Sequence, residues 1–177
     1  MSAQPTHIFL VGFMGAGKTS VGRQLAVLLG WDFIDLDAEV ERLERRSVAE
    51  IFAAGGEEHF RRLERTQLER VCRELAAPTV VALGGGTFID LRNAERVTAL
   101  GTTVFLDAPL PELRARIARV SGVRPLAKDE ERFQRLYAER RSAYEKAKIR
   151  VNTGGRSAPD VAREIAGLVT AGHRRSN

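Results

Sequence analysis

Cysteine, tryptophan and histidine are scarce in this 177-residue sequence, at one, one and three. A single thiol, Cys72, excludes an internal disulfide. Its place in a helical pattern suits an apolar filler better than a nucleophile. His7, His59 and His173 are too scattered to share a metal at ligand spacing. No apolar run reaches the roughly 18 residues that a membrane-spanning helix needs. The first seven residues lack the basic cluster and apolar core of an export signal, so a cytoplasmic location is expected. Aromatic residues make up 6%, too few for a base-stacking surface, and no RNA-recognition, zinc-finger or helix-turn-helix pattern is present. The net charge of +5 therefore reads as an arginine-rich surface with sites for small anions, and no nucleic-acid partner is expected. With 44% hydrophobic and 29% charged residues, the chain can bury one sizeable core, and a single domain over 1–177 is the simplest reading.

What is present is concentrated near the N-terminus. Gly12-Phe13-Met14-Gly15-Ala16-Gly17-Lys18-Thr19 fits G-x-x-x-x-G-K-T, the phosphate-binding P-loop pattern. The apolar run Ile8-Phe9-Leu10-Val11 enters it like a buried parallel strand. A helical pattern leaves it, with Val21, Leu25 and Leu28 at i, i+4 and i+7. The motif needs this strand–loop–helix setting. Glycines let successive backbone N–H groups turn toward a polyphosphate, and the helix N-terminus adds partial positive charge behind them. Lys18 supplies a full charge for the β and γ phosphates, and Thr19 a hydroxyl for Mg²⁺.

Along the chain, strand-like and helix-like patterns alternate, which predicts an α/β fold around a parallel sheet. Helices are expected over 18–29, 38–46, 57–75, 91–100, 111–120 and 130–146. Another starts at Pro159, and a short one opens at the Ser47–Glu50 capping box and ends at Gly55-Gly56. Strands are expected over 8–11, 33–35, 79–83, 103–106 and 148–151. A linker-like stretch over 121–131 reads as a mobile lid, and the tail from Gly172 as disordered.

Several residues stand out against this frame. Asp35 and Asp37 end a strand at the edge where α/β sheets bind ligands. One could order Mg²⁺ while the other accepts a hydroxyl proton; alternatively, one of them, Asp37 included, caps the next helix. Arg61 borders a buried stripe and needs a carboxylate, either from a ligand or from Glu64 three residues on. Gly84-Gly85-Gly86 follows a central strand, a costly run that implies either close approach to the backbone or a tight turn. Arg140 shares a helical stripe with Phe133, Leu136, Tyr137 and Tyr144. An inward arginine there needs an anion, whether a substrate or a core carboxylate.

Taken together, Gly12 to Thr19, Asp35-Leu36-Asp37, Phe60-Arg61-Arg62-Leu63-Glu64, Leu83-Gly84-Gly85-Gly86, Arg124-Pro125-Leu126 and the Arg140–Tyr144 pair follow one another at the spacing of a known family. The chain resembles shikimate kinase, a small P-loop kinase of the nucleoside-monophosphate-kinase-like group, over about 8–168. The resemblance implies a three-layer α/β/α P-loop fold with a five-stranded parallel sheet and a mobile lid. It implies transfer of the ATP γ-phosphate to the 3-hydroxyl of shikimate, on the route to chorismate and the aromatic amino acids. The nucleotide would be held by Gly12, Gly15, Ala16, Gly17, Lys18, Thr19 and Ser20, with Arg124 and Arg156, and Mg²⁺ by Thr19 and Asp35. Asp37 would bind the shikimate hydroxyls and act as base. Arg61 and Arg140 would clamp the shikimate carboxylate, with Gly84, Gly85 and Gly86 against the ring. Catalysis would rest on Asp37, Lys18 and Arg124. Either Arg116 or Arg119 would stack on adenine. The expected partners are ATP and shikimate, and the expected state is a monomer. A kinase with another small acceptor, such as gluconate, and a silent relative are the rival readings. The paired arginines and the triple glycine argue against the first, and the presence of every key motif residue argues against the second.

Overall fold

A computed structural model describes residues 7–120 and 130–174. Five strands, β1 (His7–Val11), β2 (Asp32–Asp35), β3 (Thr79–Ala82), β4 (Thr102–Asp107) and β5 (Ile149–Asn152), form one sheet in the order β2-β3-β1-β4-β5. All four pairings are parallel. Parallel strands are covered on both faces, so they read as continuous apolar runs. Accordingly, Ile8, Phe9, Leu10 and Val11 are all 0% exposed.

The helices are α1 (Lys18–Leu29), α2 (Leu36–Glu44), α3 (Val48–Glu74), α4 (Leu91–Leu100), α5 (Leu110–Val120), α6 (Glu130–Tyr144) and α7 (Ala158–Arg174), with a short 3-10 turn at Thr87–Ile89. They sandwich the sheet, giving the predicted three-layer α/β/α arrangement. The strands agree with expectation to within a residue or two. α1 stops where Gly30 takes a left-handed conformation at φ 67° and returns its N–H to the last turn. Its buried side is Val21, Gly22, Leu25 and Ala26, whereas Leu28 is 52% exposed, against the sequence pattern. Gly22 is what the pattern undervalued: a Cβ there would lie 2.5 Å from the Phe33 ring, so the helix rides low on β2.

The Ser47–Glu50 capping box forms as predicted. At Gly56 the backbone leaves the helical region (φ 73°, ψ −177°), so α3 is two segments broken at the glycine pair. Helix α7 continues to Arg174, past the Gly172 at which the sequence suggested disorder. Of the expected lid, Glu130 and Glu131 belong to the first turn of α6, and 121–129 lie outside the described residues.

Because every strand runs the same way, β1, β2, β3 and β4 deliver their carboxyl ends to one edge. The register places Asp35 beside Ala82, Ala82 beside Leu10, and Val11 beside Phe105. The order reverses at β1, which has β3 on one side and β4 on the other. A crevice at such a switch point is where open α/β sheets bind ligands.

Candidate active site

β1 ends in the P-loop. Gly12, Gly15 and Gly17 all have positive φ (150°, 80° and 93°). At Gly12 there is also no room, since a Cβ would stand 2.8 Å from the Leu106 carbonyl oxygen of β4. Lys18 Nζ donates to the carbonyls of Gly12 (2.8 Å) and Phe13 (3.0 Å), folding its charge over the loop. The Thr19 hydroxyl donates to Asp35 Oδ2, and Asp35 Oδ1 accepts from the Ala38 backbone N–H (3.2 Å). Asp35, not Asp37, is therefore the N-cap of α2. The chain turns helical at Leu36, which places Asp37 in the first turn instead of on an extended strand, so the two carboxylates do not share a strand face.

Beside the loop lies a cavity of about 230 Å³ walled by Ala16, Gly17, Ser20, Arg116, Thr153 and Arg156, among others. Arg116 Nη1 donates to the carbonyls of Gly15 (3.3 Å) and Ala16 (3.4 Å), and Nη2 to that of Thr153 (3.4 Å). Arg119 is exposed. Of the two arginines left open by sequence, Arg116 is thus the one at this cavity. Arg156 donates to the Asn152 carbonyl (2.9 Å) and pairs with Glu164.

A second cavity, of about 260 Å³, is walled by Glu57, Arg61, Glu64, Arg65, Gly86, Ile89, Asp90, Asn93 and Arg140. Arg61 and Arg140, some eighty residues apart in sequence, meet here. Glu64, 1% exposed, accepts from Arg61 Nη1 (2.8 Å) and from the Thr87 hydroxyl (2.5 Å). Burial works to lower the Arg61 pKa, but the carboxylates of Glu64 and Glu57 outweigh it, so the guanidinium titrates above its ordinary value. Arg140 is 9% exposed and lies over the Phe13 ring at 5.9 Å from its centroid. Tyr144, one turn on, donates its hydroxyl to the Gly85 carbonyl. Burial pushes that phenol up to about 12, with Arg140 pulling the other way, so it remains a donor at neutral pH.

The triple glycine has a specific cause. A Cβ on Gly84 would lie 2.4 Å from Glu64 Oε1 and 2.8 Å from Asp37 Oδ1. One on Gly86 would lie 2.3 Å from the Arg61 guanidinium carbon. The groups crowding this backbone are the site's own side chains. Gly85 has the P-loop and Arg140 near it together: a Cβ there would be 3.5 Å from the Met14 backbone nitrogen and 3.6 Å from Arg140 Nη1.

The geometry is thus a phosphate loop with a hydroxyl–carboxylate pair on one side and, adjoining it, a small chamber where two arginines converge. A family model described as shikimate kinase matches residues 14–170. The chain belongs to the shikimate kinase family. It is 43% identical over 166 residues to the shikimate kinase of Geobacter metallireducens, covering 92% of this chain and 91% of that one. To the shikimate kinase of Persephonella marina it is 37% identical over 164 residues, 92% of this chain and 98% of the other. Among solved structures, shikimate kinase from Acinetobacter baumannii in complex with shikimate superimposes with a TM-score of 0.85 at 35% identity, covering 94% of this chain and 93% of that one.

The structure brings Lys18, Thr19, Asp35, Asp37, Arg61, Arg140 and Gly84–Gly86 to one edge of the sheet, with Ser20 and Arg156 at the cavity beside the P-loop. Arg124 lies outside the described residues. Sequence reasoning did not single out Thr87, or Tyr144 as an anchor for the glycine loop, and took Glu64 only as a partner for Arg61. A polar residue on a buried helical stripe is the one signal that Glu64 offered. Thr87 carries none, and the stripe that holds Tyr144 does not reveal its partner Gly85, because both partners are distant in sequence.

Among the described residues, no helix is long and apolar enough to cross a membrane. Thr19 and Asp35 offer oxygen donors side by side at the phosphate loop. That chemistry fits Mg²⁺, a hard cation that takes few protein ligands and fills its remaining positions with water and phosphate oxygens.

Proposed function

We propose that the chain transfers the γ-phosphoryl group of ATP to the 3-hydroxyl of shikimate, giving shikimate 3-phosphate and ADP on the route to aromatic amino acids. The observation that carries this reading is Gly85, in contact range of both the P-loop backbone and Arg140. A donor held by the loop and an acid held by Arg61 and Arg140 would meet across this glycine.

Phosphoryl transfer needs positioning and charge stabilisation more than covalent help. The loop N–H groups cradle the β and γ phosphates. Lys18 exchanges its two loop carbonyls for phosphate oxygens. Arg116 borders the adenine, and Arg156 and Ser20 flank the nucleotide. Thr19 and Asp35 would hold Mg²⁺, which would supply positive charge against the phosphates. Arg61, kept charged and aimed by Glu64, forms with Arg140 a clamp for the acceptor carboxylate. Asp37, against Gly84, orients the acceptor hydroxyl and receives its proton. Arg124, outside the described residues, adds a positive charge for the transferring group. The chain acts as a monomer in this reading.

An acceptor panel tests it. With MgATP at fixed salt, turnover with shikimate should exceed that with gluconate or a nucleoside monophosphate by orders of magnitude, with phosphate on the 3-oxygen. Preferred turnover of another acceptor would refute the assignment and leave the fold and the phosphate loop standing.

A further inference from the structure

Six ionic side chains face the acceptor cavity, Arg61, Arg65 and Arg140 against Glu57, Glu64 and Asp90, so its formal charges cancel. Two of the carboxylates have fixed duties. Glu64 is buried beneath Arg61 and Thr87. Asp90 caps α4 through the backbone N–H groups of Arg92 and Asn93, and pairs with Arg65 at 3.0 Å. Glu57 differs: its side chain is 65% exposed, and a single oxygen, Oε1, lies 3.4 Å from Arg61 Nη2 and 4.0 Å from Arg140 Nη2. It sits just after the break at Gly56, one turn before Arg61. Two guanidinium groups converging on one opening repel each other unless an anion stands near both. In this structure the Glu57 carboxylate occupies that place.

We propose that Glu57 is an internal stand-in for the acceptor's carboxylate, displaced when the acceptor binds, and that it sets the affinity and the charge selectivity of the site. The inference rests on the reading of Arg61 and Arg140 as the acceptor clamp. An incoming acid must compete with a carboxylate already paired to both arginines, so removing Glu57 strengthens acid binding. After displacement Glu57 stays tethered one turn from Arg61. There it repels a second negative charge on the ligand, and the site favours monoanions over dianions. The pairing is exposed, which limits its strength, so the change in affinity should be about two- to fivefold.

The test uses the full chain with Glu57→Gln, and Glu57→Ala as a second variant, each checked for an unchanged thermal unfolding midpoint. The shikimate KM should fall by about two- to fivefold in both, with the change in KM and not in kcat or the ATP KM. Competitive inhibition by phthalate, a dicarboxylate, should strengthen more than inhibition by benzoate, a monocarboxylate. Both effects should shrink at about 0.5 M salt, where exposed charges are screened. A shikimate KM that rises or does not move in the variants overturns the proposal. Arg140→Ala, run in parallel, separates the causes. If it raises the shikimate KM while Glu57→Gln fails to lower it, the clamp stands and the stand-in falls. If it leaves the shikimate KM unchanged, both fall.

Discussion

Gly84 and Gly86 are kept bare by the side chains that press on them, and the two positions differ in what presses. At Gly86 the obstacle is the Arg61 guanidinium, the far end of a flexible side chain. Gly86→Ala should therefore displace Arg61 and raise the shikimate KM with a small loss of stability. At Gly84 the obstacle is Glu64, which is buried and bonded on both oxygens and has nowhere to go. Gly84→Ala should cost about 1–3 kcal/mol of stability, the usual range for overpacking, read by urea unfolding. Arg140→Ala removes a charge-assisted contact and should raise the shikimate KM roughly 10- to 100-fold while sparing the ATP KM; equal effects on both would contradict the clamp. Much at this scale was legible in the sequence. The P-loop, Asp35, Arg61 and Arg140 announce themselves through motif spacing or as charges on apolar stripes. The reason for the glycines was not legible, because Glu64, Asp37 and Arg61 reach them through space. The choice between Arg116 and Arg119 was also closed to sequence, since a three-residue offset keeps both near one helix face until the neighbouring Thr153 carbonyl fixes it.

Among the elements, α6 carries Arg140, on which the proposed acceptor clamp depends. It is tied to the sheet by Arg141, which places Nη1 at 2.6 Å and Nη2 at 2.9 Å from the two oxygens of Asp107 at the end of β4. Arg150 of β5 adds a bond at 2.9 Å to the same carboxylate. Burial tends to raise the Asp107 pKa, but the Arg141 and Arg150 bonds outweigh it and hold it below the ordinary carboxylate value. A carboxylate depressed in the folded state stabilises the fold above its unfolded pKa of about 3.9, and that stability is lost as pH falls through the lower folded value. Asp107→Asn should thus lower unfolding stability by about 1–3 kcal/mol at pH 7, with the gap to the unsubstituted protein closing below about pH 4. Urea titrations from neutral to acid pH measure it, and a gap that persists unchanged into acid would contradict the ionic origin. Element existence and order were readable from periodicity and punctuation. The break at Gly56 followed from the glycine pair, and the end of α1 from a glycine, Gly30, just past its last apolar residue. The cap of α2 stayed open between Asp35 and Asp37 because the two have equal capping chemistry. Only the point where β2 stops pairing with β3 decides between them.

The whole molecule offers its single thiol as a reporter. Burial pushes Cys72 up to about 11, so at pH 8 it is almost entirely protonated and should alkylate far more slowly than in the urea-unfolded chain. Saturating MgATP with shikimate should slow it further and raise the unfolding midpoint, since ligands that bind only the folded state stabilise it by mass action. Equal labelling rates for folded and unfolded chain would contradict the packing of α3 described here. In the proposed function both cavities at the carboxyl edge of the sheet serve a single reaction. The most direct measurement is ADP formation from MgATP, with and without shikimate at fixed salt, for the unsubstituted chain and for Lys18→Met. Strong shikimate-dependent turnover is expected, falling by at least about 100-fold in Lys18→Met at an unchanged melting temperature. ATP binding with no shikimate-dependent ADP release would contradict it.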